Sequence, residues 1–420
     1  MDDIDKMNRK ESLIYLISCS LNERKPSEEI VNEMDLQEVI PYAKTHTTGV
    51  AVAQALKSSK LYQDGKMDTE SVSFIRSVID TAIYRNLLFD EERKKVLRFM
   101  EENKIRYMPL KGILLKELYP GFGMREMVDN DILYDRRYQK ELCEFFKKEG
   151  YTVVSIGKTY HDVYVKRPFF NFEMHTQLFS DYFNEKLSGY YGDVFSKLIK
   201  DDNHEYGYHF LPNDFYIYIV LHTYKHFKVR GTGIKSLMDI YIYNKVYGKE
   251  LDRAYIDHEL RQFGLAGYEK KMRKLAFATL SNPDTCFDDL ERLSSQEKEM
   301  LEYILGSGAF GNNQNRIKNE MKNYQKSRKG KEGKIGKKGK LGKKGKKGKK
   351  GVGLTGKAGY FMSRVFPDNT FYKQHYPLAY RFKILIPFVV MGRTFRVLLF
   401  ERDKLKWELK EMNRFFSDHH

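Results

Sequence analysis

Residues 125–134 read Arg125-Glu126-Met127-Val128-Asp129-Asn130-Asp131-Ile132-Leu133-Tyr134, and this stretch decides the fold. Ile132 and Leu133 with a terminal aromatic predict a short buried strand. Side chains two apart on a strand share a face, so Asp129 and Asp131 present two carboxylates side by side where that strand begins. Like charges at this spacing repel unless a cation lies between them. Oxygen-only ligation favours a hard ion such as magnesium, which binds through few carboxylates and through substrate phosphates. Two acids flanking an asparagine are also a common turn signal. Three neighbours favour the metal: a strand follows directly, a Lys111-Gly112 helix start lies upstream, and Arg125 precedes the acids in a loop containing Gly121 and Gly123. That loop is no phosphate cradle, since it lacks both GxGxxG and GK[S/T].

A site with two metal ions about 3.5–4 Å apart clamps the attacking and leaving oxygens and calls for a third acid. The aromatic run Phe169-Phe170-Asn171-Phe172-Glu173-Met174-His175 supplies Glu173. Phe170 and Phe172 read as core-facing, which puts Glu173 and Asn171 on the opposite face. Asp162 in Tyr160-His161-Asp162-Val163-Tyr164 is the competitor for the same role. His175 shares the face of Glu173 and is placed to orient that acid or to touch a phosphate.

Outward from these strands the pattern divides the chain into five parts. Residues 1–104 are periodic at helical spacing, as in Phe74, Ile75, Val78, Ile79, Ile83, Leu87 and Leu88. Residues 105–211 alternate short strands with helices and form the expected catalytic core. From 212 to 325 the helical period returns, with Asn213 or Asp214 as cap of a helix through Phe227. Residues 326–358 are a Lys/Gly-rich linker, and 359–420 regain aromatic residues at helical spacing. The fold class expected is α+β: a small mixed sheet flanked by helical N-terminal and C-terminal regions.

Charge is distributed unevenly. Lys326–Lys350 holds 14 Lys or Arg against Glu332 alone, so most of the formal +17 sits in this one run. Its glycines and self-repulsion predict a solvated tether. It offers salt-sensitive, sequence-blind contact to nucleic acid or another anionic surface, and without aromatic residues it has no platform for base stacking. Cys19, Cys143 and Cys286 show no CxxC spacing, which excludes a disulfide framework and a thiolate zinc site. Asp2, Asp3 and Asp5 are the opposite of a secretory start. Ile384–Phe400, the most apolar late segment, is too short and is interrupted by Arg393 and Arg396, so no transmembrane segment is expected. A cytoplasmic protein follows. His222 and His226 have zinc-ligand spacing, but Thr223 stands where a zincin has glutamate. The basic cluster Lys225, Lys228, Arg230 and Lys235 is either a solvated helix end or a contact for a triphosphate or acceptor.

The run Leu110-Lys111-Gly112 … Arg125 … Asp129-Asn130-Asp131-Ile132-Leu133, followed by Glu173-Met174-His175, resembles the bacterial uncharacterised nucleotidyltransferase family within the polymerase-beta-like superfamily. His222, His226, Lys235, Asp239 and the Phe366-Pro367 tail are similar too, so the likeness spans roughly residue 100 to the C-terminus. The resemblance implies a nucleotidyltransferase fold, with NTP as substrate and magnesium as cofactor. It implies transfer of a nucleoside monophosphate to a small-molecule, sugar-like or protein acceptor. On that reading Asp129, Asp131 and Glu173 hold the metals, and Lys111, Gly112, Arg125, His175 and Lys235 surround the nucleotide. Lys111-Gly112 stands where the superfamily usually has Gly-Ser, so a lysine point charge replaces a serine contact. A second class is a non-catalytic module of the same fold that binds nucleic acid through 326–350. A phosphohydrolase, which releases phosphate without an acceptor, is a third.

Overall fold

The computed structural model describes residues 7–180, 185–323, 362, 365–367 and 369–417. The Lys/Gly-rich run 326–358 lies outside the described residues. Two compact units divide the chain: Met1–Phe227 with Thr232–Phe310, and Lys228–Gly231 with Gly311–His420.

The first unit contains the expected α+β arrangement. Its sheet has five strands, β1 (Tyr107–Pro109), β2 (Asn130–Tyr134), β3 (Thr152–Ser155), β4 (His161–Lys166) and β5 (Phe170–His175), in the order β1-β2-β5-β4-β3. β2 and β5 run parallel; the other pairs are antiparallel. Strand alternation sorts the side chains. Tyr107, Ile132, Tyr134, Tyr164, Phe172 and Met174 form one buried face, with Leu142 and Phe146 from helix Gln139–Lys148 and Val96 and Met100 from helix Thr69–Glu102. Phe146 stacks on Tyr164 with ring centroids 4.1 Å apart. The opposite face carries Met108 and Leu133 into a larger helical core and, beside them, the polar residues of the candidate site.

Helix Thr69–Glu102 starts where Asp68 accepts from the Ser71 amide at 2.8 Å. Helix Arg9–Leu21 is buried along most of its length and meets helix Ala266–Leu280, where Ser18 Oγ donates to the Leu280 carbonyl. The helices before the sheet and those after it thus share one hydrophobic cluster. Helix Pro212–Val229 begins one or two residues before the expected Asn213 or Asp214 cap. Proline is accommodated there because a first-turn residue has no intrahelical bond to lose. The described residues contain no helix long and apolar enough to cross a membrane.

Candidate active site

The parallel pairing of β2 with β5 sets Asp131 opposite Glu173 and Leu133 opposite His175. One sheet face therefore carries Asp131, Glu173 and His175 together, and Asp129 enters from the residue preceding β2. Ligand atoms of Asp131, Glu173 and His175 all lie within 4.8 Å of one another. Asp131 and His175 are buried; Glu173 and Asp129 are half-buried.

His175 is bound to the acids by one ring nitrogen. Its Nε2 lies 2.6 Å from Asp131 Oδ1 and 3.9 Å from Glu173 Oε2. An ionised carboxylate only accepts, so Nε2–H donates. The buried Nδ1 has no hydrogen-bond partner among the described residues. Burial holds the imidazole below its ordinary range despite the Asp131 carboxylate, so the ring is a neutral brace for Asp131.

Lys111 supplies the cation. Its ammonium is 3.2 Å from Asp131 Oδ1. Burial opposes its charge, but Asp131, then Asp129, then Glu173 more than restore it. Asp131 touches the lysine, and Asp129 and Glu173 act on it through space. Its backbone is unusual: φ is +40° and ψ −109°, at the residue that opens helix Gly112–Leu115. A non-glycine residue in that region carries strain of about 1–3 kcal/mol, held here by the Leu110 amide on the Asp131 carbonyl at 2.9 Å.

The carboxyls differ in electrostatics. Burial, with Asp131 adding repulsion, pushes Asp129 up to about 6. Burial, then Asp131 and Asp129, push Glu173 up to about 7. Asp131 goes the other way: burial opposes its charge, but Lys111 and the His175 hydrogen bond hold it well below the usual carboxylate range. One acid is permanently ionised, and two sit close to the point where they gain or lose a proton near neutrality.

Arg125, placed by sequence near a triphosphate, is committed to Asp239. Nε donates to Oδ1 and one terminal nitrogen to Oδ2, both at 2.8 Å, and Tyr119 Oη donates to Oδ1 at 2.7 Å. All three residues are buried. Gly112 makes room for this pair: a Cβ there would come within 2.5 Å of the other terminal nitrogen of Arg125. Lys235, first residue of helix Lys235–Tyr247, reaches the Glu126 carbonyl at 3.3 Å and brings positive field to Asp129. These contacts fix residues 125–129, and so the approach of Asp129.

Asp162 is removed from the competition. In the β4–β5 register it lies opposite Met174, while its neighbours His161 and Val163 lie opposite His175 and Glu173. Its carboxylate accepts from Tyr134 Oη, Gln139 Nε2 and the Gly157 amide at 2.7–3.1 Å. Sequence reasoning missed two others. His161 Nε2 approaches Glu173 Oε2 at 3.8 Å, and Tyr160 accepts from Lys225 Nζ at 2.5 Å, its ring 4.7 Å from that ammonium. The alternation around Asp162 carried the signal for His161; nothing in the sequence marks Tyr160. His222 and His226 pair Nε2 to Nε2 at 3.0 Å on helix Pro212–Val229. Burial, first of all causes, lowers His222 well below its ordinary range and His226 to about 3.

Asp131, Glu173 and His175 together form a group whose ligand atoms are compatible with a metal ion. A family model described as uncharacterised nucleotidyltransferase matches residues 32–281, covering the sheet, the acids and the helices behind them. No curated protein and no solved structure matches the chain.

Proposed function

The chain belongs to the uncharacterised nucleotidyltransferase family, and from that membership we propose that it transfers a nucleoside monophosphate from an NTP to an acceptor hydroxyl, with magnesium held by Asp129, Asp131 and Glu173. The observation that carries this reading is the in-register meeting of Asp131 and Glu173 on parallel strands around the Lys111 ammonium.

When bound, magnesium supplies charge neutralisation at the phosphates and at the attacking and leaving oxygens. The rest falls to the chain's own side chains. Asp131, ionised throughout, anchors the site, and His175 fixes its orientation. Lys111 is close enough to the acids to pass to a phosphate oxygen as a point charge. Lys235 adds positive field on the Asp129 side, and the Arg125–Asp239 pair holds that loop in place. Glu173, on the open sheet face beside Asp131, is placed to take the acceptor's proton. The acceptor oxygen bonds to the α-phosphorus, pyrophosphate leaves, and the proton goes to Glu173. Positioning and charge stabilisation account for such a transfer without a covalent enzyme intermediate.

The test is incubation with α-labelled NTPs, magnesium and cell extract, beside Asp129→Asn/Asp131→Asn. Label moves to an acceptor with the natural chain only. Label transfer that survives the double substitution removes the assignment. Release of phosphate without an acceptor redirects it to hydrolysis.

A further inference from the structure

Helix Ile386–Phe400, entered through the turn Lys383–Leu385, is apolar on two faces. Ile386, Val389 and Val390 pack with Phe371, Tyr372 and Ala379 into a small cluster of the second unit. The other face carries Phe388, Met391, Phe395 and Leu399, at intervals of three, four and four residues, and Ile384 in the preceding turn extends it. At helical periodicity these make one continuous stripe. Their exposures are 63%, 64%, 63%, 48% and 79%. Large side chains exposed together over several turns mark an interaction surface.

Charge identifies the occupant. From Asn369 to Phe400 the sequence holds five Lys or Arg and no Asp or Glu. At about 100° per residue Arg396 falls beside the stripe, and the exposed Lys383 lies in the turn that enters the helix. Arg396 is largely exposed, with Glu401 approaching at 3.9 Å. Arg393 turns the other way, over the Phe371 ring at 4.4 Å. A second copy laid on the stripe brings cation against cation. An apolar protein groove takes the stripe but adds nothing for the surplus of cations unless it is rimmed with acids. An anionic bilayer answers both features, its acyl region taking the stripe and its headgroups the cations. Fifteen helical residues span about 22 Å, short of a hydrocarbon core of about 30 Å. Such a helix lies in the interface and does not cross it.

We infer that the stripe Ile384, Phe388, Met391, Phe395 and Leu399, with its flanking cations, seats the protein on an anionic lipid surface. Apolar insertion and basic attraction are two separate signals, the combination that gives stable attachment. Attachment through this helix needs none of the chemistry of the carboxylate site.

The full chain is sedimented with phosphatidylcholine vesicles, with and without added phosphatidylglycerol, at low and high salt. It pellets with the anionic vesicles and weakens in high salt. Phe388→Ser/Phe395→Ser, which alters only exposed side chains, lowers the partition at least about tenfold while circular dichroism is unchanged. Equal pelleting with neutral vesicles, no pelleting with anionic ones, or a variant that pellets like the natural chain each overturns the inference. So does light scattering that shows a dimer converted to a monomer by the same substitutions, since the occupant is then a second copy.

Discussion

Cation binding at the carboxylate site is expected to tighten steeply with pH, and the size of the effect follows from two carboxyls. Glu173 sits at about 7 and Asp129 at about 6, and a divalent ion takes only the ionised forms. Each proton therefore competes with the metal. Burial lowers His175 and so reduces its share of the competition, and Asp131 is held well below the usual carboxylate range. Going from about pH 7.5 to about pH 5.5 weakens binding about 25-fold through Glu173 and about fourfold through Asp129, or about 100-fold together. At about pH 6.5 binding releases about one proton. Titration calorimetry with Mn2+, a hard ion of the same oxygen-seeking class, reads both quantities when run in two buffers of different ionisation enthalpy. Glu173→Gln leaves only the fourfold Asp129 part. A natural protein whose affinity moves by less than about threefold over this range, with heats independent of buffer, refutes the reasoning.

Three further outcomes follow from the same geometry. Asp239→Asn leaves the buried Arg125 guanidinium without its carboxylate and is expected to cost about 3–5 kcal/mol, read as a thermal midpoint lower by roughly 6–10 °C; a loss under about 1 kcal/mol contradicts the pairing. Gly112→Ala drives a methyl against a locked Arg125 nitrogen, for about 1–3 kcal/mol, and in a double-mutant cycle its cost shrinks in the Asp239→Asn background. Lys111→Met is expected to tighten Mn2+ alone and weaken NTP, each by about tenfold, because it removes a charge that repels one and attracts the other; changes of the same sign in both titrations defeat that account.

The fold class and the faces of the strands were legible because burial imposes a period of two. Phe170 and Phe172, two apart in one strand, read as core-facing, and that parity put Glu173 on the other face. The partner of β2 was not legible: alternation gives a strand its two sides but says nothing about which strand lies beside it. The Asp162 question needed that information, since a one-residue difference in parity against β5 sends Asp162 toward Tyr134 and away from Glu173. The Arg125–Asp239 pair joins residues 114 apart in sequence. Both side chains are charged, and a charge in sequence reads as equally suited to ligand or to partner. Lys111 was visible as a basic residue at a helix start, but its positive φ, next to the Leu110 amide bonded to β2, was not.

That strained lysine bears on the order in which ligands bind under the proposed reading. Without a ligand, the site is near electrical balance: Asp131 is countered by Lys111, and Glu173 and Asp129 share protons with solvent around neutrality. A bare divalent ion must displace protons and sit beside an ammonium, so its gain is small. A nucleotide already carrying the ion brings phosphates that draw Lys111 off Asp131 and free a carboxylate oxygen for the ion. Each partner removes the obstacle to the other, which makes metal and triphosphate binding mutually favourable by linkage. A serine in place of Lys111 offers a hydrogen bond to phosphate but no charge to be moved. On the proposed reading, Lys111-Gly112 in place of Gly-Ser would change how the site fills, and the cooperativity between ion and nucleotide would reside in one side chain.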